Sequence, residues 1–410
     1  MQISKIIIAL CCSFLPLSQM QAQSYIGKKT YNSYRGLVMA GYQGWFNTPD
    51  DGANRSWRHY GGPKFGPGQA TVEMWPDVSE YKQTYTTKFQ FADGTYAKVF
   101  SSHDSTTVFT HFKWMKKYGL DGVFMQRFVS EVKGKSGREH FNHVLHNAMN
   151  AANKYNRAIA IMYDLSGMRK GDATFILNDI KQLSDEYHLF DHKRNPSYLY
   201  HNGKPLVSVW GVGFNDKRAY DLADCAEVID KMKEMGFSIM IGVPTHWRNL
   251  NEDCIADTEL HSLIKRCDIL MPWFVARYSD KSFKHFAPLI DKDIQWANDN
   301  HIDYAPLCFP GFSWDNLKYP EPGPKIPRNK GAFLQEQIDY SIHAGAKMLY
   351  IAMFDEIDEG TAIFKIASKV PVGQPHSTFV PLEEGLKSDH DLRIVGKAGK
   401  ELKKKIANQQ

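Results

Sequence analysis

The chain has 410 residues, 43% of them hydrophobic and 23% charged, which excludes a disordered chain, a collagen-like repeat and a disulfide-stapled miniprotein. A formal charge of +5, part of it in Lys400, Lys403, Lys404 and Lys405, is too small and too local to argue for a nucleic-acid partner. Aromatic residues make up 13%, with nine Trp, 20 Tyr and 24 Phe, more than core packing demands, so some rings are expected to face a ligand.

The first residues read as an export signal: Lys5, an apolar run from Ile6 to Leu17, and a polar stretch ending near Gln21-Ala22-Gln23. Residues 1–23 are therefore expected to be removed and the mature protein to be periplasmic or secreted. A lipid on Cys11 or Cys12 is disfavoured by Leu10, where a small residue is wanted. No later stretch offers about 18 consecutive apolar residues, so no integral membrane span is expected. Cys225, Cys254, Cys267 and Cys308 are widely spaced without a CxxC pair and suggest no zinc site. Cys254 with Cys267 as a disulfide, or all four as buried thiols, stay open.

From Leu37 onward, short β-rich apolar runs alternate with amphipathic stretches. Strands are predicted over 37–45, 121–128, 158–164, 205–210, 238–244, 268–274, 303–309 and 347–354. Helices are predicted near 105–118, 138–155, 172–187, 220–235, 257–266, 280–300 and 331–344. Eight strands with helices between them predict a single (β/α)8 TIM barrel over 24–370. A doubly wound sheet is disfavoured because Gly41-Tyr42-Gln43-Gly44-Trp45 carries aromatics where a phosphate fingerprint would stand. Residues 371–410 are expected as an extension packed on the barrel or trailing from it.

Barrel active sites sit at the carboxyl ends of the strands. Those ends carry Tyr42, Gln43 and Trp45; Gln126 and Arg127; Asp164; Trp210; His246 and Trp247; Trp273; and Trp314. Five Trp on one rim, beside hydrogen-bonding groups, suit a sugar ring, whose C–H face stacks on an aromatic while its hydroxyls need partners. Several of these Trp plugging the barrel top is the competing reading.

After the last predicted strand come Asp355, Glu356, Asp358 and Glu359. Like charges this close cannot all ionise cheaply, so at least one pKa should rise, as a general acid near neutral pH requires. One protonated and one ionised carboxyl are the usual equipment for glycosidic cleavage. A solvated acidic loop, or a helix start before Thr361, would explain the same residues structurally. EF-hand spacing is missing, as are a GxSxG elbow, an HExxH helix and a Walker loop, so neither a metal nor another cofactor is called for.

The opening strand with Tyr42 to Trp45, Ser101-Ser102-His103-Asp104, Trp114-Met115-Lys116, Asp121-Gly122-Val123 and above all Phe354-Asp355-Glu356-Ile357-Asp358-Glu359-Gly360-Thr361 resemble glycoside hydrolase family 99, the endo-α-mannosidases, and the related 71/99-like proteins. The resemblance implies a retaining mechanism in which Glu356 is the base on the substrate's 2-hydroxyl and Glu359 the acid and then the base. It implies that Tyr42 and His246 place the sugar and that Trp45 or Trp247 stacks on it. Arg127 departs from the aromatics of that family and suggests a different or even anionic neighbour in the glycan. A xylosidase or arabinosidase on the same scaffold, and a non-catalytic carbohydrate-binding barrel, are the alternatives.

Overall fold

The computed structural model describes residues 26–321 and 323–408; the expected signal segment and Cys11 and Cys12 lie outside them. Parallel strands form the centre: β1 (Val38–Tyr42), β2 (Gly122–Phe128), β3 (Ala158–Asp164), β4 (Lys204–Trp210), β5 (Ser238–Val243), β6 (Ile269–Pro272), β7 (Asp303–Tyr304), β8 (Leu307–Cys308) and β9 (Leu349–Ile351). Their order is β7-β6-β5-β4-β3-β2-β1-β9-β8. The two ends of this path, β7 and β8, are joined in the chain by Ala305-Pro306 alone, so the ring closes through the backbone itself.

The expected continuous strand over 303–309 is thus split. Pro306 has no N–H to give a ladder; its carbonyl accepts from Tyr350 N at 3.1 Å, while Ala305 N donates to Leu270 O on the other side at 2.9 Å. The seventh barrel position is therefore shared by β7, paired with β6, and β8, paired with β9.

Around the ring run α1 (Ser105–Tyr118), α2 (Lys135–Tyr155), α3 (Ala173–Tyr187), α4 (Leu222–Glu234), α5 (Glu259–Lys265), α6 (Pro288–Asp299), α7 (Ala332–Ala344) and α8 (His390–Ala407). The helix expected over 280–300 is interrupted: Phe283–Phe286 forms one turn and Pro288 begins α6, because proline suits a helix start and breaks an interior. α8, unanticipated from the sequence, packs against α1 and α7 and completes the helical layer. Gly396 makes this possible, since a Cβ there would stand 1.7 Å from Tyr118 O.

Strand alternation divides side chains between barrel interior and helix layer. Inside, a Cβ on Gly41 would meet Met353 and Tyr350, and the Tyr350 hydroxyl accepts from Gln126 Nε2 at 3.2 Å. Outside, the apolar residues of β1 to β6 pack under the helices in one continuous core. Each fully buried Leu or Ile there contributes about 1.5–3 kcal/mol. The four described cysteines are buried free thiols, so the Cys254–Cys267 pairing does not form.

Candidate active site

The loop after β9 carries the carboxylates. Ile363 N donates to Met353 O at 3.0 Å and Met353 N to Thr361 O at 3.2 Å, so the chain turns back alongside itself. Residues 361–367 are not helical, which overturns the helix-start reading of this cluster. Asp355, Glu356 and Asp358 are buried and Glu359 is half-buried.

Each carboxyl has a distinct neighbourhood. Asp355 accepts from Gln43 N at 2.8 Å and Gly44 N at 2.9 Å, which fastens the loop after β1 to this one. Burial nevertheless pushes its pKa up to about 7. Glu356 accepts the side-chain amide of Gln43 on one oxygen and the Thr361 hydroxyl, at 2.7 Å, on the other. Burial, then the charges of Glu359 and Asp358, hold it well above the usual carboxylate range. Asp358 Oδ2 lies 3.3 Å from His59 Nδ1, and burial raises its pKa to about 8. Glu359 is likewise raised to about 8, by burial and then by Asp358, against the opposing influence of Trp314 and Lys318.

Glu356 and Glu359 open onto a cavity of about 510 Å³ at the carboxyl ends of the strands. Gln43, Trp45, Gln126 and Asp164 line it, as do Trp210, Trp273 and Trp314. Gly44, at φ +64°, supplies the left-handed turn between Gln43 and Trp45. Trp45 is stacked between His59, at 3.9 Å, and Phe128, at 4.9 Å. Trp210 meets Trp273 edge to face at 5.1 Å. The indole N–H groups of Trp45 and Trp210 and the amide oxygens of Gln43 and Gln126 are buried without a hydrogen-bond partner among the described residues. Asp164 accepts from Ser166 N at 2.7 Å and is raised by burial.

Four expected contributors lie elsewhere. Tyr42 alternates with Gln43 and so points into the helix layer, where its hydroxyl pairs with His111 Nδ1 at 2.8 Å. Arg127, between Gln126 and Phe128, also points outward and grips Asp179 through Nε at 2.8 Å and Nη2 at 2.6 Å. The anionic glycan neighbour inferred for it is replaced by a buried protein carboxylate. Trp247 is fully buried, donating to Asp293 at 3.2 Å and packing on Trp296. His246 is held by Asp253 at 3.0 Å, off the cavity wall. Four of the five rim Trp therefore face the cavity.

Sequence reasoning missed the run Val275-Ala276-Arg277 on the wall and His59 beside Asp358, and did not carry Ser166 or Phe312 forward as wall residues. Phe128 also lines the wall, and its parity with Gln126 on β2 marks it. Val275-Ala276-Arg277 and His59 sit on loops whose course no periodicity encodes. No helix among the described residues is long and apolar enough to cross a membrane, and no group of three or more described His, Cys, Asp or Glu could hold a metal ion.

No protein-family model and no curated protein matches the chain. Its structure is similar to two solved structures of the family 99 endo-α-mannosidase from Bacteroides thetaiotaomicron. The one in complex with bis-tris-propane has a TM-score of 0.66 at 16% identity, covering 91% of this chain and 99% of that one. The other has 0.63 at 15%, covering 90% and 98%. A glycoside hydrolase-like protein follows at 0.56 and 12%, covering 92% and 96%. At these identities the likeness establishes the architecture: a (β/α)8 barrel of the form that the family 99 endo-α-mannosidase structures share.

Proposed function

We propose that the protein is a retaining glycoside hydrolase that acts, after export, inside the chain of an α-mannoside-containing glycan. The observation that carries this reading is that Glu356 and Glu359 share one cavity lined by four Trp side chains and by the polar side chains of Gln43, Gln126 and Asp164. Flat apolar faces take the C–H side of a pyranose, and polar side chains on the wall take its hydroxyls.

The two carboxyls are distinguished by their donors. Gln43 and Thr361 both point hydrogen-bond donors at Glu356, which favours its ionised form when the pair holds a single proton. In this assignment Glu359 keeps that proton, and its pKa of about 8, raised by burial against Trp314 and Lys318, leaves it protonated at neutral pH. This matches the roles implied by the family resemblance. Glu356 removes the proton of the 2-hydroxyl; O2 attacks C1 as the C1–oxygen bond to the leaving group breaks, and the departing oxygen takes the proton of Glu359. In the second step Glu359 accepts a proton from water, the water oxygen attacks C1, the C1–O2 bond opens, and O2 recovers its proton from Glu356. Two inversions at C1 give net retention.

The test is digestion of defined α-mannan, xylan, arabinan and host-type glycans by the purified protein, with products read by mass and anomeric configuration. The expected result is internal cleavage of α-mannan with retention. Inversion, or cleavage of the other glycans alone, would overturn the assignment.

A further inference from the structure

We infer that the cavity contains a subsite for an anionic substituent of the glycan, built on Arg277. This rests on the glycosidase reading for the identity of the carrier.

The loop after β6 turns three consecutive residues, Val275, Ala276 and Arg277, onto the cavity wall beside Trp273. Ala276 takes φ +59°, a conformation that a residue with a Cβ adopts only where its surroundings hold it. Arg277 is the one Lys or Arg among the residues lining the cavity. Its Nε lies 3.1 Å from Asp253 Oδ2, with the side chain 39% exposed. Asp253 is itself fixed, accepting from Thr245 N at 3.1 Å and from His246 N and Nδ1, each at 3.0 Å.

That anchoring holds the guanidinium by one edge. No described residue hydrogen-bonds to Nη1 or Nη2, so the opposite edge remains an open fork beside an aromatic wall. A planar pair of N–H groups fits a carboxylate, sulfate or phosphate through two parallel hydrogen bonds. Glu356 and Glu359 follow the eighth barrel position and Arg277 the sixth, so the anion would be carried away from the bond being cut. The arginine expected from the sequence to meet an anion, Arg127, is spent on Asp179; Arg277 has the free edge.

Matched glycans test this on the full chain with Glu359→Gln to block turnover. The pairs are α-mannan oligosaccharides with and without phosphate, xylan oligosaccharides with and without glucuronate, and host-type glycans with and without sulfate. In at least one pair the acidic member should bind about tenfold or more tightly than its neutral partner. Arg277→Met should collapse that ratio toward one, Arg277→Lys should restore part of it, and raised salt should shrink it. The pair that responds identifies the anion. No acid preference in any pair, or a ratio that survives Arg277→Met, overturns the subsite. Cleavage of neutral glycans without acid preference would sink the subsite and leave the hydrolase standing; an Arg277-dependent preference with no cleavage by the wild-type protein would do the reverse.

Discussion

The side-chain amide of Gln43, at the end of the first barrel strand, donates to Glu356, 313 positions later in the chain, while the Gln43 backbone N–H donates to the adjacent Asp355. One residue thereby fixes the loop that carries both proposed reacting carboxyls and supports the charge on one of them. Glu356 must be ionised to act and Glu359 must be protonated, so activity should rise through an acid limb set by Glu356 and fall through an alkaline limb near pH 8. Gln43→Met removes the donor and raises the Glu356 pKa further. Its acid limb should move to higher pH and its rate on that limb should drop on the order of tenfold. A pH–rate profile of the two proteins checks this; an unmoved acid limb would contradict it.

Glu73 joins two walls of the cavity. Its carboxylate accepts from the Ser313 hydroxyl at 2.7 Å and from Asn316 N at 2.7 Å, while its own N–H donates to Ile357 O at 2.8 Å. It therefore holds the segment that carries Trp314 against the loop of Glu356 and Glu359. Glu73→Ala leaves buried donors unpaired, at a cost of about 1–3 kcal/mol. Steady-state kinetics should show KM rising more than kcat falls, because the mobile element bears a binding wall rather than the reacting groups.

Arg127 is a stabilising residue rather than a binding one. It and Asp179 are both buried and bidentate, so removing one partner strands a charge. Asp179→Asn or Arg127→Met should lower unfolding free energy by about 3–5 kcal/mol in denaturant titration. Were Arg127 a ligand contact, the loss would appear in KM with little change in stability.

The carboxyl cluster also makes stability depend on pH. Asp358 and Glu359 are raised to about 8 in the folded state, so the folded protein holds protons that the unfolded chain releases near pH 4, and stability falls as pH rises toward 8. His59, His111 and His140 are lowered to about 3 by burial and act in the opposite sense, but only up to about pH 6.5. Between pH 6.5 and 8 the carboxyls alone remain of these groups, so the melting temperature should decline across that window. Asp358→Asn should flatten the decline.

The barrel was legible because its strands are apolar runs of the right length between amphipathic helices, and Glu356 and Glu359 were legible because four acids follow the last such run. The errors at Tyr42 and Arg127 came from taking both neighbours at a strand end, although a period of two sends adjacent side chains to opposite faces. Trp247 and His246 follow β5 on a loop, where that period no longer decides direction. Arg277, Glu73 and His59 were hidden because they reach the site from loops and an insert, by contacts spanning many residues. α8 was missed for another reason: its Gly396 and Gly399 look unhelical in isolation yet permit close packing on α1.

Glu359→Gln, assayed for hydrolysis and for glycan binding in parallel, tests the central claim most directly. With the acid removed, turnover of α-mannan should fall by about 10²–10⁴ or more while binding remains measurable. Turnover equal to that of the unaltered protein would contradict the account.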